Sequence, residues 1–341
     1  MTHQNFCSIL LSKSRSKGGG HTINPTYQIN ALSPLADPVV GAIFTSVEEA
    51  GLAAESILRA ILKSDNNTQL SGKIVRVTPQ HYHMDPINRG CKIDVEVETD
   101  ANERIIFEVQ TSQDASIMKR DLFSTSHIML ETSNKGDSPY QMSAKMPKVI
   151  AINILTYTIR KNHNDIVQPF KILYTKAPHD IAIQNFSGYN VQLPKVLEVP
   201  KDFDNDLYCW CYTLYTAHLQ GKTIKEVLTM TPELQTYAQQ DEGYQQFCQL
   251  YDRVAADSKT RNEYVRWVLT LMREEGMKEA ALEEGLDKGR AEGRKEGRAE
   301  NFQAVTQALK LIQQNYEVED INKITGLSFE EINSLRTSLN I

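Results

Sequence analysis

An α/β (α+β) core, a mixed sheet flanked by helices and followed by an all-helical C-terminal region, is the fold class this sequence predicts. Three observations predict it. Apolar residues recur at helical spacing as far as Leu62, and the pattern then alternates in strand fashion between Lys73 and Gln110. Further strand-like runs follow a helical stretch at Asp114–Leu130, so the strands have helices on both sides along the chain. After Pro200 the pattern is wholly helical.

In chain order, residues 1–30 are polar, contain Gly and Ser without period, and read as a mobile tail. From Pro38 to Leu62 the spacing of Val40, Ile43, Phe44 and Val47, then Leu52, Ile57, Leu58, Ile61 and Leu62, predicts two helices or one broken helix. A polar loop spans Ser64–Gly72. Lys73–Thr78, Cys91–Glu98 and Ile105–Gln110 predict strands, the last two joined by the turn-rich stretch 99–103. Strands are also expected at Lys148–Leu155, Phe170–Tyr174 and Val191–Val199, which makes 31–200 the core. A helical region, 201–272, carries Trp210, Leu214, Tyr251, Tyr264 and Trp267.

Residues 273–301 form a charged segment with Gly285, Gly289, Gly293 and Gly297 every four residues. Opposite charges four apart favour a helix, and each glycine costs it about 1 kcal/mol relative to alanine. A solvated spacer helix is the simpler reading; a glycine stripe that lets another helix approach is the other. Residues 302–341 predict two short helices around Gly326, the second opened by a capping box of Ser328 and Glu331. Such a pair is more often a packing unit than a DNA-reading helix-turn-helix, and Arg336 is the one base-reading cation its second helix offers.

Composition narrows the function classes. At 341 residues, 40% hydrophobic and 23% charged, the chain can bury a sizeable core. Without an apolar run of about 18 residues no membrane helix is expected, and the N-terminal stretch does not read as a secretory signal. Five scattered cysteines give neither a disulfide framework nor a zinc pattern, so reduced thiols in a cytoplasmic protein are expected. No P-loop, dinucleotide turn or nucleophile elbow is present, so no nucleotide cofactor is expected. The net charge of −6 runs against unspecific nucleic-acid binding unless cations concentrate locally or a metal meets the phosphate.

The chemistry concentrates in the hairpin. In KIDVEVE, Ile93, Val95 and Val97 share one face and Asp94, Glu96 and Glu98 the other; in IIFEVQ, Ile106, Glu108 and Gln110 share a face. With the apolar faces on one side, Asp94, Glu108 and Gln110 project together from the other. Two carboxylates so placed can hold Mg2+ or Mn2+, which activates a water against a phosphodiester, while Gln110 orients the water or the phosphate. A solvent-facing acidic hairpin produces the same spacing; the order of elements around it distinguishes the two. A helix bearing Glu55 precedes the hairpin and a helix bearing Lys119 and Arg120 follows it. His81, His83 and Asp85 alternate as strand-borne ligands would, although a polar loop accounts for them more simply, and His127 and the Cys209–Cys211 cluster read as packing residues.

With LADPVVGAIF, AESILRAIL, KIDVEVETDANERIIFEVQ, KRDLF, KVIAINIL, LEVPK and ITGLSFEEI, the chain resembles the PD-(D/E)XK nuclease superfamily, and within it the Rpn-type recombination-promoting nucleases and PD-(D/E)XK family transposases. The resemblance implies a restriction-endonuclease-like core that cleaves DNA with Mg2+, with Asp94 and Glu108 as metal ligands and Gln110 in place of the superfamily's lysine. It makes Glu55 the helical acidic residue and sets Lys119 and Arg120 against DNA phosphate. Asp37, followed by Pro-Val-Val-Gly, departs from the family's first motif and is a doubtful ligand. Self-association through the C-terminal helices is expected, and a catalytically decayed fold that binds DNA or protein is the alternative.

Overall fold

The computed structural model describes residues 31–65, 68–83, 91–113, 116–132, 134 and 136–339, with the backbone of 11–13 and 27–29. The tail expected at 1–30 otherwise lies outside the described residues; its two short strands, β1 (Leu11–Lys13) and β2 (Tyr27–Ile29), pair antiparallel.

Of the two N-terminal options, the pair of helices is the one that forms. α1 (Asp37–Ile43) starts with Pro38 in its first turn, where the missing N–H is no loss. The chain breaks at Phe44, and the Ser46 side chain then caps α2 (Val47–Lys63) by accepting from the Glu49 N–H. Ala50, Ala53, Ala54, Ile57, Leu58 and Ile61 form the buried stripe of α2.

A six-stranded mixed sheet has the order β3-β4-β5-β6-β10-β7. Strands β3 (Ile74–His83), β4 (Cys91–Thr99) and β5 (Glu103–Gln110) pair antiparallel, and β6 (Lys148–Leu155) joins β5 parallel. Strand β10 (Phe186–Gln192) runs parallel to β6 and antiparallel to the edge strand β7 (Val167–Phe170). A separate ribbon pairs β8 (Leu173–Tyr174) with β9 (Ala177–Ile181). The strand expected at Val191–Val199 corrects to β10 followed by a 3-10 helix at Leu193–Leu197, where Pro194 denies the ladder an N–H.

Helices cover both faces. α1, α2 and the helices α5 (Asp206–Gln220), α6 (Ile224–Met230), α7 (Pro232–Gln240) and α8 (Glu242–Ala256) contribute to one apolar cluster with Val95, Val97, Ile105, Phe107 and Ile152 of the sheet. Trp210, between the buried Cys209 and Cys211, sits in that cluster and donates to the Ser56 hydroxyl, so the cysteine–tryptophan group is helix core. On the opposite face α3 (Ile117–Glu131) covers a smaller cluster of Ile93, Ile106, Ile128 and Val149. A short helix, α4 (Pro139–Lys145), leads into β6.

The chain divides into two compact units, Met1–Met272 and Arg273–Ile341. Helix α9 spans Ser258–Gln313. In the second unit α10 (Val318–Thr325) and α11 (Phe329–Ser338) close on Ala308 and Ile312, with Gly326 at φ 72° and the Ser328–Glu331 capping box formed. Arg336 donates to the Tyr316 carbonyl within that unit, which supports the packing reading of this helix pair. Among the described residues no helix is long and apolar enough to cross a membrane.

Candidate active site

The regular pairing of β4 with β5 runs from Glu98 opposite Arg104 to Val95 opposite Phe107. One residue further on, the side chain of Asp94 replaces the backbone as partner: its Oδ2 accepts from the Val109 N–H at 2.9 Å. Strand β3 distorts at the same level, where Gln80, between the paired Pro79 and His81, has a φ of 48°. Ile93 joins the cluster on the α3 side with Ile106, rather than the face of Val95 and Val97 that plain alternation assigns it. This is a correction to the sequence reading: strict alternation along β4 does not hold past Val95, where its regular pairing with β5 ends.

Glu108, in register with Asn153 of β6, is buried beside Asp94. Burial and the negative charge of Asp94 push its carboxyl well above the usual range, against the opposing pull of Arg120 and of the Asp94 backbone N–H. Burial and the charge of Asp37 raise Asp94 in the same way. Arg120 of α3 reaches Glu108 with Nη2 3.4 Å from Oε2. Gln110 lies on the same face of β5 one pleat beyond Glu108, half-buried. Lys119 is exposed on α3.

Two acidic residues exchange standing. Asp37, at the start of α1, is half-buried and acts electrostatically on Asp94; burial raises its own carboxyl, while Lys92 and Arg120 lower it. Glu55, by contrast, is exposed on α2 and lines a hollow with Arg59, Lys63, Lys73 and Ile74. Ile74 pairs with Thr99, at the far end of β4 from Asp94 and roughly 16 Å along the strand. Glu55 is therefore not brought to the carboxylates, because the stripe that faces the sheet is the apolar one.

Three buried polar residues extend the site, and sequence reasoning missed them. The Asn153 amide of β6 donates to the Asp121 Oδ2 of α3 at 2.8 Å and to the Asn190 Oδ1 of β10 at 3.0 Å. Burial raises Asp121 to about 6, opposed by the Asn153 bond and Arg120. The available signal was a lone asparagine inside the apolar run KVIAINIL, since a buried amide needs partners. Lys92, two residues before Asp94, is a further missed cation whose charge acts on both Asp37 and Asp94.

The remaining sequence candidates fall elsewhere. His81 sits on β3 and meets Glu96, which also binds Arg104 at 2.7 Å, so it belongs to an ion-pair ladder along the hairpin. The side chain of His83 and the whole of Asp85 lie outside the described residues. His127 is buried and packs edge-on against Phe123, in keeping with a packing role. Among the described residues no group of three or more His, Cys, Asp or Glu side chains is arranged to hold a metal ion.

No curated protein and no solved structure matches the chain. A family model does, that of the PD-(D/E)XK nuclease family transposases, over residues 43–271. The matched span takes in Asp94, Glu108, Gln110 and Arg120 together with the mixed sheet and helices α2 to α8, in keeping with a PD-(D/E)XK nuclease fold. With more than half of its residues inside the match, the chain belongs to the PD-(D/E)XK nuclease family transposases.

Proposed function

We propose that this chain is a metal-dependent DNA endonuclease that hydrolyses phosphodiester bonds during recombination or transposition of mobile elements. The observation that carries this reading is the adjacent pair of half-buried Asp94 and buried Glu108, whose carboxylate charges repel each other. Such a pair of hard oxygen donors, short of positive charge, fits Mg2+, or Mn2+ in its place, which takes one or two carboxylates and completes its shell with water. When bound there, the ion would supply an acidified water and neutralise charge on the phosphate.

The chain's own residues prepare that reaction. The Val109 N–H fixes the Asp94 carboxylate, and Arg120 steadies Glu108. Gln110 both donates and accepts, so it can orient a water or a phosphate oxygen but carries no charge. Asp37 contributes a third carboxylate from α1. Arg120 and Lys92 place cations beside the carboxylates and, with Lys119 exposed on α3, offer phosphate contacts despite the net charge of −6.

The segment that begins at Arg273 supports self-association: Met277, Leu282 and Leu286 are exposed on it, and a Cβ on Gly285, Gly289, Gly293 or Gly297 would meet nothing. Pairing two copies would let both DNA strands be cut, and light scattering of a monomer at high concentration counts against it.

A specific feature, the uncharged Gln110 in the position of the superfamily's lysine, favours a second reading as a decayed nuclease fold that only binds. Cleavage of supercoiled plasmid with Mg2+, Mn2+ or EDTA, beside Asp94→Ala, separates the two. Nicking that requires metal and is lost in the variant supports the enzyme. DNA binding without cleavage under either metal supports the binding module.

A further inference from the structure

We infer that the hollow bounded by Met118, Tyr157, Arg160, Gln168, Phe170 and Asn190 receives an unstacked nucleobase of the DNA strand engaged at Asp94 and Glu108. The inference deepens the nuclease reading and rests on it.

The hollow opens on the carboxylate side of the sheet. Asn190 is in register with Asn153, and Asn153 with Glu108, which sets Asn190 two strand spacings, roughly 10 Å, from Glu108. The same line of side chains carries the Asn190–Asn153–Asp121 hydrogen bonds, so the hollow is held rigidly relative to the acidic pair. At 420 Å³ it falls within the range of roughly 300–1,000 Å³ usual for small-ligand sites.

Its chemistry suits a base. Asn190 is only 6% exposed, its oxygen is taken by Asn153, and its amide N–H2 meets the Met118 sulfur at 3.7 Å. A thioether is a weak acceptor, which leaves this buried donor short of one good hydrogen bond. A base carbonyl or ring nitrogen would supply it. Gln168, opposite Asn190 in the β7–β10 ladder, adds a second amide able to donate and accept. Tyr157 and Phe170 provide aromatic walls, and the exposed Arg160 places a cation at the rim, where a backbone phosphate would lie. Aromatic walls with amide groups for the base edge are how unpaired bases are generally held. A strand that is single, mismatched or distorted would then be preferred over a regular duplex, because unstacking it costs less.

The test is binding of a single-stranded oligonucleotide carrying 2-aminopurine, scanned through successive positions, to the full chain without metal. The expected result is a fluorescence rise at one position in the wild type, lost in Tyr157→Ala and Gln168→Ala, with affinity at least about five-fold weaker. No rise at any position, or the same rise and affinity in variants that melt with the wild type, overturns the inference. Should Tyr157→Ala melt early, the wild type alone decides: an abasic site at the responsive position must weaken binding by a similar factor, and equal affinity overturns the proposal. Free deoxyadenosine monophosphate that displaces the oligonucleotide at matched concentration overturns the assignment to a DNA strand. Because the readout is metal-free binding, base capture without any plasmid cleavage removes the nuclease reading alone. Cleavage with unaltered binding in the variants removes the pocket alone.

Discussion

The Asp94 carboxylate accepts the Val109 N–H at 2.9 Å, which ties β4 to the one β5 residue that separates Glu108 from Gln110. A backbone ladder bond gives way there to a hydrogen bond with a charged acceptor, the stronger kind. The bond fixes the height of Asp94 against Glu108 without enclosing both carboxylates in ion pairs. The geometry of the acidic pair thus rests on an interrupted strand pairing.

Asp94→Asn keeps an oxygen for Val109 and removes one of two mutually repelling charges. The metal-free variant is expected to melt at or above the wild-type temperature near pH 8 and to lose any stabilisation by Mg2+. Asp94→Ala leaves the Val109 N–H unpaired, at a cost of about 1–3 kcal/mol before the relieved repulsion is counted. Thermal melting of the three proteins with and without Mg2+ checks this; an undiminished Mg2+ response in Asp94→Asn would exclude Asp94 as a ligand.

Asp121 rises from its ordinary 3.8 to about 6 through burial. Between those values the folded chain holds a proton that the unfolded chain releases, so stability falls as pH climbs through the window and stays reduced above it. Asp121→Asn, which can still accept from Asn153, should therefore gain on the wild type between pH 4 and 6, by at most about 3 kcal/mol. Chemical denaturation at pH 4 and pH 8 measures it. Equal differences at both pH values would contradict the buried-charge account.

Arg120 lowers Asp37, Asp94 and Glu108, whereas Lys92 lowers only the first two. Arg120→Ala should accordingly shift the acidic limb of a cleavage pH profile to higher pH, since the carboxylates must ionise to hold metal. Lys92→Ala should move it in the same direction without the contribution from Glu108. A rate loss with an unmoved limb would assign these cations to phosphate contact alone.

Gly243 in α8 lies so close to α2 that a Cβ would stand 2.2 Å from the Leu52 carbonyl oxygen. Backbone cannot yield as a side-chain tip can, and Gly243→Ala should destabilise by about 1–3 kcal/mol. A lowered midpoint is expected for the urea transition of the first unit, in which helix α8 and the sheet share one core. A midpoint unchanged from wild type would mean that the two helices separate freely.

What the sequence determined by itself was whatever depends on near neighbours. Period-two alternation and a short connection place Glu108 and Gln110 on one face, and the same local pattern gives the hairpin, the two N-terminal helices and the capping box at Ser328. The family was legible for the same reason, since the residues that carry the resemblance include two strands adjacent in sequence, and the family model matches the span that holds them. Tertiary structure alone decided which distant groups meet them. Asp37 reaches Asp94 and Glu55 does not, because the apolar stripe of α2 turns toward the sheet and takes the exposed residues away from it. Asn153, Asn190 and Asp121 come together through the parallel register of β6 with β5 and β10 and the seat of α3 above them. Ile93 lies on the opposite side of the sheet from Val95, beyond the point where the regular β4–β5 pairing ends. Register between strands far apart in sequence follows from which surfaces bury best, and local periodicity carries no record of that choice.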